Sequence, residues 1–338
     1  LGPVSHRRRT LCNEDGSAES RDMGSTTVTS AHSEPKALDP RPVLTGHDGS
    51  VNSEKAVFWA ADLAVAHRRP LRILTSYSLP MLVGVGATAG YLAPVLTSQE
   101  VHEIDLKHRE MLEAIATRVK EIHPELRIET FLDQGAPAPS LLKAAEDVSM
   151  IVLGTRGVGS AQGLLLGSVS YAVAHRAKCP VMLVPETSDR GTAGRVMVGV
   201  DGSSRSSAAA EWALDLAHSL HRPLEIVTAW HYPYQAAIPE AGMMMGPDVE
   251  ELRLAMLRDA RDLVRRERER LQGGHGVHID TEVLEGSAAD SLAEHSGPND
   301  IVVVASKSHS LLASVLLGST AVGVAHRSRG PVVIVHGS

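Results

Sequence analysis

The chain has 338 residues, 43% hydrophobic and 22% charged, which is ordinary globular usage and excludes wholesale disorder; at roughly 100–200 residues per domain the length points to two domains. Aromatic residues make up only 3%, leaving little for stacking platforms on single-stranded nucleic acid, and a formal charge of −7 disfavours nucleic acid or anionic membrane as a partner. Cys12 and Cys179 make neither a disulfide framework nor a four-ligand zinc site, and with no run of about 18 apolar residues and no apolar signal core the expected location is the cytoplasm.

Residues 1–40 are rich in Ser, Thr, Pro, Glu and Arg without apolar periodicity, and read as a disordered tail that cannot offset its ordering entropy by burial. The basic run Arg7-Arg8-Arg9 is soon cancelled by Glu14, Asp15, Glu19 and Asp22 and reads as solvated chain. Met23-Gly24-Ser25 reads as a translation start, with residues 1–22 as an upstream extension.

From residue 41 onward strands and helices alternate. Val43–Gly46 predicts a strand ending in Asp48-Gly49-Ser50, and Ser50 or Ser53 then caps an amphipathic helix carrying Ala56, Val57, Ala60, Leu63 and Ala64. Leu71–Tyr77 follows as a strand, then a long helix from about Ser98 to Ile122. Next come a strand over Arg127–Leu132 and a helix over Ala138–Ala145. Met150–Leu153 is the fourth strand. A Gly-rich loop leads to a helix from Gly167 to Arg176, and Val181–Val184 is the fifth strand. Such alternation predicts an α/β fold with a parallel, doubly wound sheet. Continuous apolar runs such as Met150-Ile151-Val152-Leu153 and Ile301-Val302-Val303-Val304 fit strands buried on both faces.

The pattern then repeats. A shift of 153 pairs Asp48-Gly49-Ser50 with Asp201-Gly202-Ser203, Trp59 with Trp212 and Tyr77 with Trp230. A shift of 151 pairs Gly167-Ser168 with Gly318-Ser319, and His175-Arg176 with His326-Arg327. The expected organisation is one fold used twice, over 41–186 and 194–338, joined by a linker at 187–193.

The stretch that carries chemistry is Gly154-Thr155-Arg156-Gly157, nine residues, then Gly167-Ser168, lying between a buried strand and a helix. Glycines allow positive φ and close approach of backbone N–H groups to an anion. The helix start adds unpaired N–H groups and the positive end of its dipole. Ser168 and Ser170 add hydroxyl donors, and Arg156 a charge-assisted bond. In an open α/β sheet these groups converge with Asp48 and Ser76 beyond the carboxyl ends of the strands.

With G-x-x-G-x9-G-[ST] in place, an early strand ending in Asp and this order of elements, the chain resembles the universal stress protein family in its ATP-binding branch, over both copies. The resemblance implies two flavodoxin-like, Rossmann-like domains with five strands each in the order 3-2-1-4-5. It also implies pairing of fifth strands at a dimer interface, in a homodimer or an intramolecular pseudo-dimer. It implies ATP as ligand, with or without Mg2+, and a regulatory protein partner. By position, Asp48 and the backbone near Ser76 hold the adenine end and Gly154 lies against the ribose. Arg156, Gly157, Gly167, Ser168 and Ser170 hold the phosphates, and Leu153 and Val169 complete the cofactor-binding set.

The second copy departs from the pattern: Ala305-Ser306-Lys307-Ser308 replaces the first two glycines, while Asp201, Lys307, Gly318 and Ser319 remain as candidate ligands. If the lost glycines had positive φ, each replacement costs roughly 1 kcal/mol, and Lys307 lacks the bidentate fork of Arg156. The expectation is one strong site and one weak or empty site. The function expected is a nucleotide-dependent stress-response regulator, with a slow ATPase or phosphotransferase and a dimerising scaffold as alternatives.

Other motifs carry less. Gly84-Val85-Gly86-Ala87-Thr88-Ala89 matches a dinucleotide pattern but is flanked by Pro80 and Pro94, and reads as a loop. Gly202-Ser203-Ser204-Arg205-Ser206 misses a nucleophile elbow at its last position. The histidines show no zinc-ligand spacing, and Met243-Met244-Met245 reads as a lid or packing filler. Arg253–Arg270 reads as a solvated amphipathic helix with Leu252, Met256, Leu263 and Val264 toward the core, and Cys179 as an inert thiol.

Overall fold

In a computed structural model the chain is described over residues 41–78, 97–157, 166–191, 193–231, 248–273, 276–308, 315–316 and 318–336. The tail 1–40, the motif at Gly84–Ala89 and the methionines at 243–245 lie outside the described residues.

In the first copy β1 (Val43–Gly46), β2 (Leu71–Tyr77), β3 (Ile128–Gln134), β4 (Met150–Gly154) and β5 (Val181–Val184) alternate with α1 (Val51–Ala66), α2 (Ser98–Ile122), α3 (Pro137–Ala144) and α4 (Ser168–Arg176). The second copy runs β6 (Val196–Gly199), α5 (Ser204–Leu220), β7 (Leu224–Trp230), α6 (Asp248–Leu271), β8 (Ile279–Glu285), α7 (Ala288–His295) and β9 (Ile301–Ala305). A short antiparallel pair follows, β10 (Lys307–Ser308) with β11 (Val315–Leu316), and then α8 (Ser319–Arg327) and β12 (Val332–Val335).

Helix starts follow local chemistry. Ser50 is the cap of α1, its side chain accepting from the Ser53 N–H, and Ser203 caps α5 in the same way through Ser206. Thr97 and Glu100 form a reciprocal capping box at α2. The two copies even share unusual backbone. Gly49 and Gly202 have φ of +82° and +81°, and Arg68 and His221, 153 residues apart, have φ of +52° and +54°. The left-handed turn before α1 and α5 is therefore where a glycine is required.

The ten main strands form one sheet in the order β3-β2-β1-β4-β5-β12-β9-β6-β7-β8. Within each copy all neighbours run parallel in the expected order 3-2-1-4-5. The fifth strands meet within this one chain: β5 and β12 pair antiparallel, Val181 opposite Ile334, Met182 opposite Val333 and Leu183 opposite Val332. Strand side chains alternate between two layers. Val43, Val152 and Val303 pack under α1, α2 and α5, while Leu44, Ile151 and Val302 pack against the side of α3, α4, α7 and α8. Every residue of β4, β5 and β12 is buried, as expected of strands covered on both faces.

The segment between copies is strapped down. Lys55 Nζ donates to the Glu186 and Ser188 carbonyls, and Arg190 grips both carboxylate oxygens of Asp62 at 2.8 and 2.7 Å. Arg222, 8% exposed, donates to the carbonyls of Gly191 and Asn299 at 2.7 and 2.9 Å. Two expectations shift. Strand β3 continues to Gln134, because β2 pairs with it as far as Tyr77 opposite Gln134. Leu252 is exposed rather than turned to the core, whereas Val264 and Leu271, farther along α6, are buried.

Candidate functional site

At the carboxyl ends of β1, β2 and β4 lies a cavity of about 500 Å³, a volume within the range of roughly 300–1,000 Å³ that suits small-molecule sites. All ten residues expected in the first copy line it: Asp48, Ser76, Leu153, Gly154, Arg156, Gly157, Gly167, Ser168, Val169 and Ser170. Sequence reading did not place His47, Leu74, Pro137 and Leu141 there. Leu74, Pro137, Leu141 and Leu153 supply the apolar side, and Pro137 and Leu141 arrive because α3 closes over the end of the sheet. Their apolar character in a helix signals burial but not the cavity they face.

The turn after β1 builds the polar side. Asp48 Oδ1 accepts from the Ser50 N–H at 3.0 Å, Ser50 Oγ accepts from the Ser53 N–H at 3.1 Å, and Ser53 Oγ accepts from the Asp48 N–H at 3.3 Å. His47, 7% exposed, pairs through Nδ1 with Ser53 Oγ at 3.1 Å. Burial pushes the His47 pKa down against the opposing pull of Asp48 and Glu54, so the ring is neutral at pH 7.

On the other side stand the loop and α4. The loop's ends are tied by a Gly167 N–H to Thr155 carbonyl bond of 2.7 Å. Gly167 is the N-cap of α4 and, among the described residues, no side-chain cap bond is made at that helix start, which borders the cavity through Gly167, Ser168 and Val169. Arg156 is half-buried at the cavity wall, and its guanidinium has no partner among the described residues.

Two expectations about this loop are corrected. Gly167 has φ of −71°, and neither Gly154 nor Gly157 is among the glycines with positive φ. At Gly154 and Gly157 space, not backbone conformation, disfavours a side chain. A Cβ on Gly154 would lie 2.9 Å from the Asn52 carbonyl oxygen, and one on Gly157 would overlap Asp48 Oδ2. Second, Ser170 is 6% exposed and its hydroxyl donates to the Gly154 carbonyl at 2.6 Å. Its proton ties α4 to β4.

The second copy repeats the turn. Asp201 Oδ1 accepts from the Ser203 N–H at 3.0 Å, Ser203 Oγ from the Ser206 N–H at 3.2 Å, and Ser206 Oγ from the Asp201 N–H at 3.2 Å. Burial opposes ionisation of Asp201, but these hydrogen bonds hold its pKa below the usual value. Its cavity is only about 160 Å³. Asp201, Gly318 and Ser319 line it as expected, whereas the Lys307 side chain lies outside the described residues. Val200 and Arg205 stand where the first copy has His47 and Asn52, and Ala305 stands in place of Gly154.

Comparison with known proteins identifies the family and the fold. The universal stress protein family profile matches residues 40–185 and 192–336. A universal stress protein of Mycolicibacterium smegmatis is 30% identical over 302 residues, covering 87% of this chain and 96% of the relative. One from Mycobacterium tuberculosis is 27% identical over 307 residues, covering 88% and 97%. In fold, a universal stress protein structure from Archaeoglobus fulgidus aligns with a TM-score of 0.60 at 21% identity, covering 88% of this chain and 98% of that one.

Proposed function

This chain belongs to the universal stress protein family as a tandem of two such domains, and on that premise we propose that its first copy binds ATP and that the protein acts as a nucleotide-dependent stress-response regulator. The observation that carries the reading is the composition of the 500 Å³ cavity. One wall is apolar, from Leu74, Pro137, Leu141 and Leu153, and suits a purine ring. The other presents Asp48, together with the Arg156 guanidinium and the start of α4, neither of which has a side-chain partner among the described residues. An apolar end joined to an anion-binding end is the chemistry of a nucleoside polyphosphate.

In this reading Asp48 takes a ribose or base donor, while Arg156, Ser168 and the first N–H groups of α4 take the phosphates. Mg2+, where it accompanies ATP, would sit on phosphate oxygens at the same end. ATP spans the two loop ends, Arg156-Gly157 and Gly167-Ser168, and favours one arrangement of them to the extent that it binds that arrangement better. A protein partner then reads the difference. We read the dimer expected from the resemblance as the intramolecular pseudo-dimer, since β5 and β12 pair with each other inside this chain.

The test is the nucleotide released when purified protein is denatured, quantified by chromatography. About one ATP per chain is expected. ADP together with sustained phosphate release would favour the hydrolytic alternative, and no nucleotide, with no uptake of added ATP, would overturn the reading in favour of a scaffold.

A further inference from the structure

Asn52 is the second residue of α1 and is 5% exposed. Its side chain reaches across to the loop after β4, more than a hundred residues away in sequence. Nδ2 donates to Thr155 Oγ1 at 3.3 Å and to the Arg156 carbonyl at 3.2 Å. The backbone of Asn52 meanwhile abuts Gly154 so closely that a Cβ there would lie 2.9 Å from the Asn52 carbonyl oxygen. The first three residues of the anion-facing loop are thus held from one side by a single asparagine.

The other half of that amide is anomalous. Asn52 Oδ1 is buried and has no hydrogen-bond partner among the described residues. A buried acceptor left unmade costs stability, and an apolar side chain of similar volume would not incur that cost. Strain or dissatisfaction retained in a fold is characteristic of residues kept for what they position. The second copy supplies the contrast: Arg205 stands at the equivalent position and lines the smaller cavity, beside Ala305 in place of Gly154. A guanidinium is charged and sits on a longer stem, so its donors lie farther from the helix backbone than the short amide of Asn52 does.

We propose that Asn52 is the positioning residue of the first site: by holding Thr155 and the Arg156 carbonyl it aims the Arg156 side chain and the Gly157 backbone at the phosphate end of the ligand. It acts through the loop, not on the ligand, and the inference rests on ATP being that ligand. Positioning of this kind predicts a loss confined to the phosphates. The base and ribose, which meet Leu74, Leu141, Leu153 and Asp48, are held by elements that Asn52 does not touch through its side chain.

The experiment compares the full-length wild type with Asn52→Leu and Asn52→Ala, titrating each calorimetrically with ATP and with adenosine and recording the ligand-free melting midpoint. Asn52→Leu is expected to weaken ATP binding about 10-fold, the size of one well-made hydrogen bond to a positioned group. Adenosine affinity stays within about twofold, and the ligand-free midpoint shifts by no more than a few degrees, because loss of the orphaned Oδ1 is set against loss of the two bonds from Nδ2 to Thr155 and Arg156. Asn52→Ala shows the same ATP-selective loss and keeps the test open if leucine is not accommodated. Unchanged ATP affinity in both variants overturns the proposal, as does an equal loss for ATP and adenosine, which would make Asn52 ordinary packing. A wild type that binds neither compound overturns the nucleotide reading itself, an outcome distinct from either of those.

Discussion

The two copies share a turn and differ in a loop. After β1 and after β6 the chain makes the same Asp-Gly-Ser turn, with the same three hydrogen bonds agreeing to within about 0.1 Å and glycine φ of +82° and +81°. Yet one turn borders a cavity of about 500 Å³ and the other one of about 160 Å³. The turn is therefore a folding device, a cap that starts a helix, and a poor marker of which copy holds a ligand. What separates the sites is the side-chain volume around the loop: glycine against alanine at 154 and 305, glycine against serine at 157 and 308, and asparagine against arginine at 52 and 205.

That comparison can be broken at several points. The largest effect is expected for Gly157→Val, whose side chain must displace Asp48: ATP affinity falls at least about 100-fold by calorimetry, as for a group driven into a packed site. The reverse change in the second copy, Ala305→Gly with Ser308→Gly, should not by itself create a tight site, because Arg205 remains.

Asp48→Ala is expected to weaken ATP binding about 10- to 50-fold, through the lost ligand contact and the loosened turn. Asp201→Ala should leave the tight site unchanged while lowering the melting midpoint by a few degrees through the loss of the α5 turn, which differential scanning calorimetry reads. A comparable effect of both variants on ATP affinity would contradict the assignment. Arg156→Ala should cost about 10-fold for ATP and flatten its salt dependence.

The smallest effect concerns pH. Burial depresses the pKa values of His47, His67 and His336 below the ordinary 6.5. Below that value the unfolded chain takes up protons that the folded chain refuses. Their contribution is thus fully present above about pH 6.5 and declines as pH falls toward the folded values, by up to about 1.4 kcal/mol per pH unit for each histidine. Among the described residues lining the two cavities, only those of the first include a histidine, since Val200 stands where the first copy has His47. In urea titrations between pH 7 and 5.5, His47→Val should shallow the decline by as much as one proton's worth; an unchanged slope would show that His47 protonates freely in the fold.

Much of the fold was legible because local chemistry and burial agree. Apolar runs such as Ile151–Leu153 cannot be exposed on either face, and Ser50 and Ser203 stand where helices need acceptors. The site was legible as a set of residues but not as a mechanism of fit. A glycine in sequence can signify either positive φ or crowding, and only the approach of Asn52 to Gly154, and of Asp48 to Gly157, decides for crowding. The spare hydroxyl of Ser170 looked free until α4 turned it onto the Gly154 carbonyl. Leu252 followed the helical stripe of α6, yet it is exposed, because periodicity gives a helix face and not how far the sheet beneath it extends. The straps from Lys55, Asp62 and Arg222 to the linker pair residues tens to more than a hundred positions apart, beyond any local pattern.

The central claim, one competent site and one closed site in a single chain, is tested most directly by calorimetric titration of the full-length protein with ATP. The account predicts a stoichiometry of one tight site per chain, lost in Gly157→Val and retained in Asp201→Ala. Two sites of equal affinity, or a single site that survives Gly157→Val and disappears with Asp201→Ala, would contradict it.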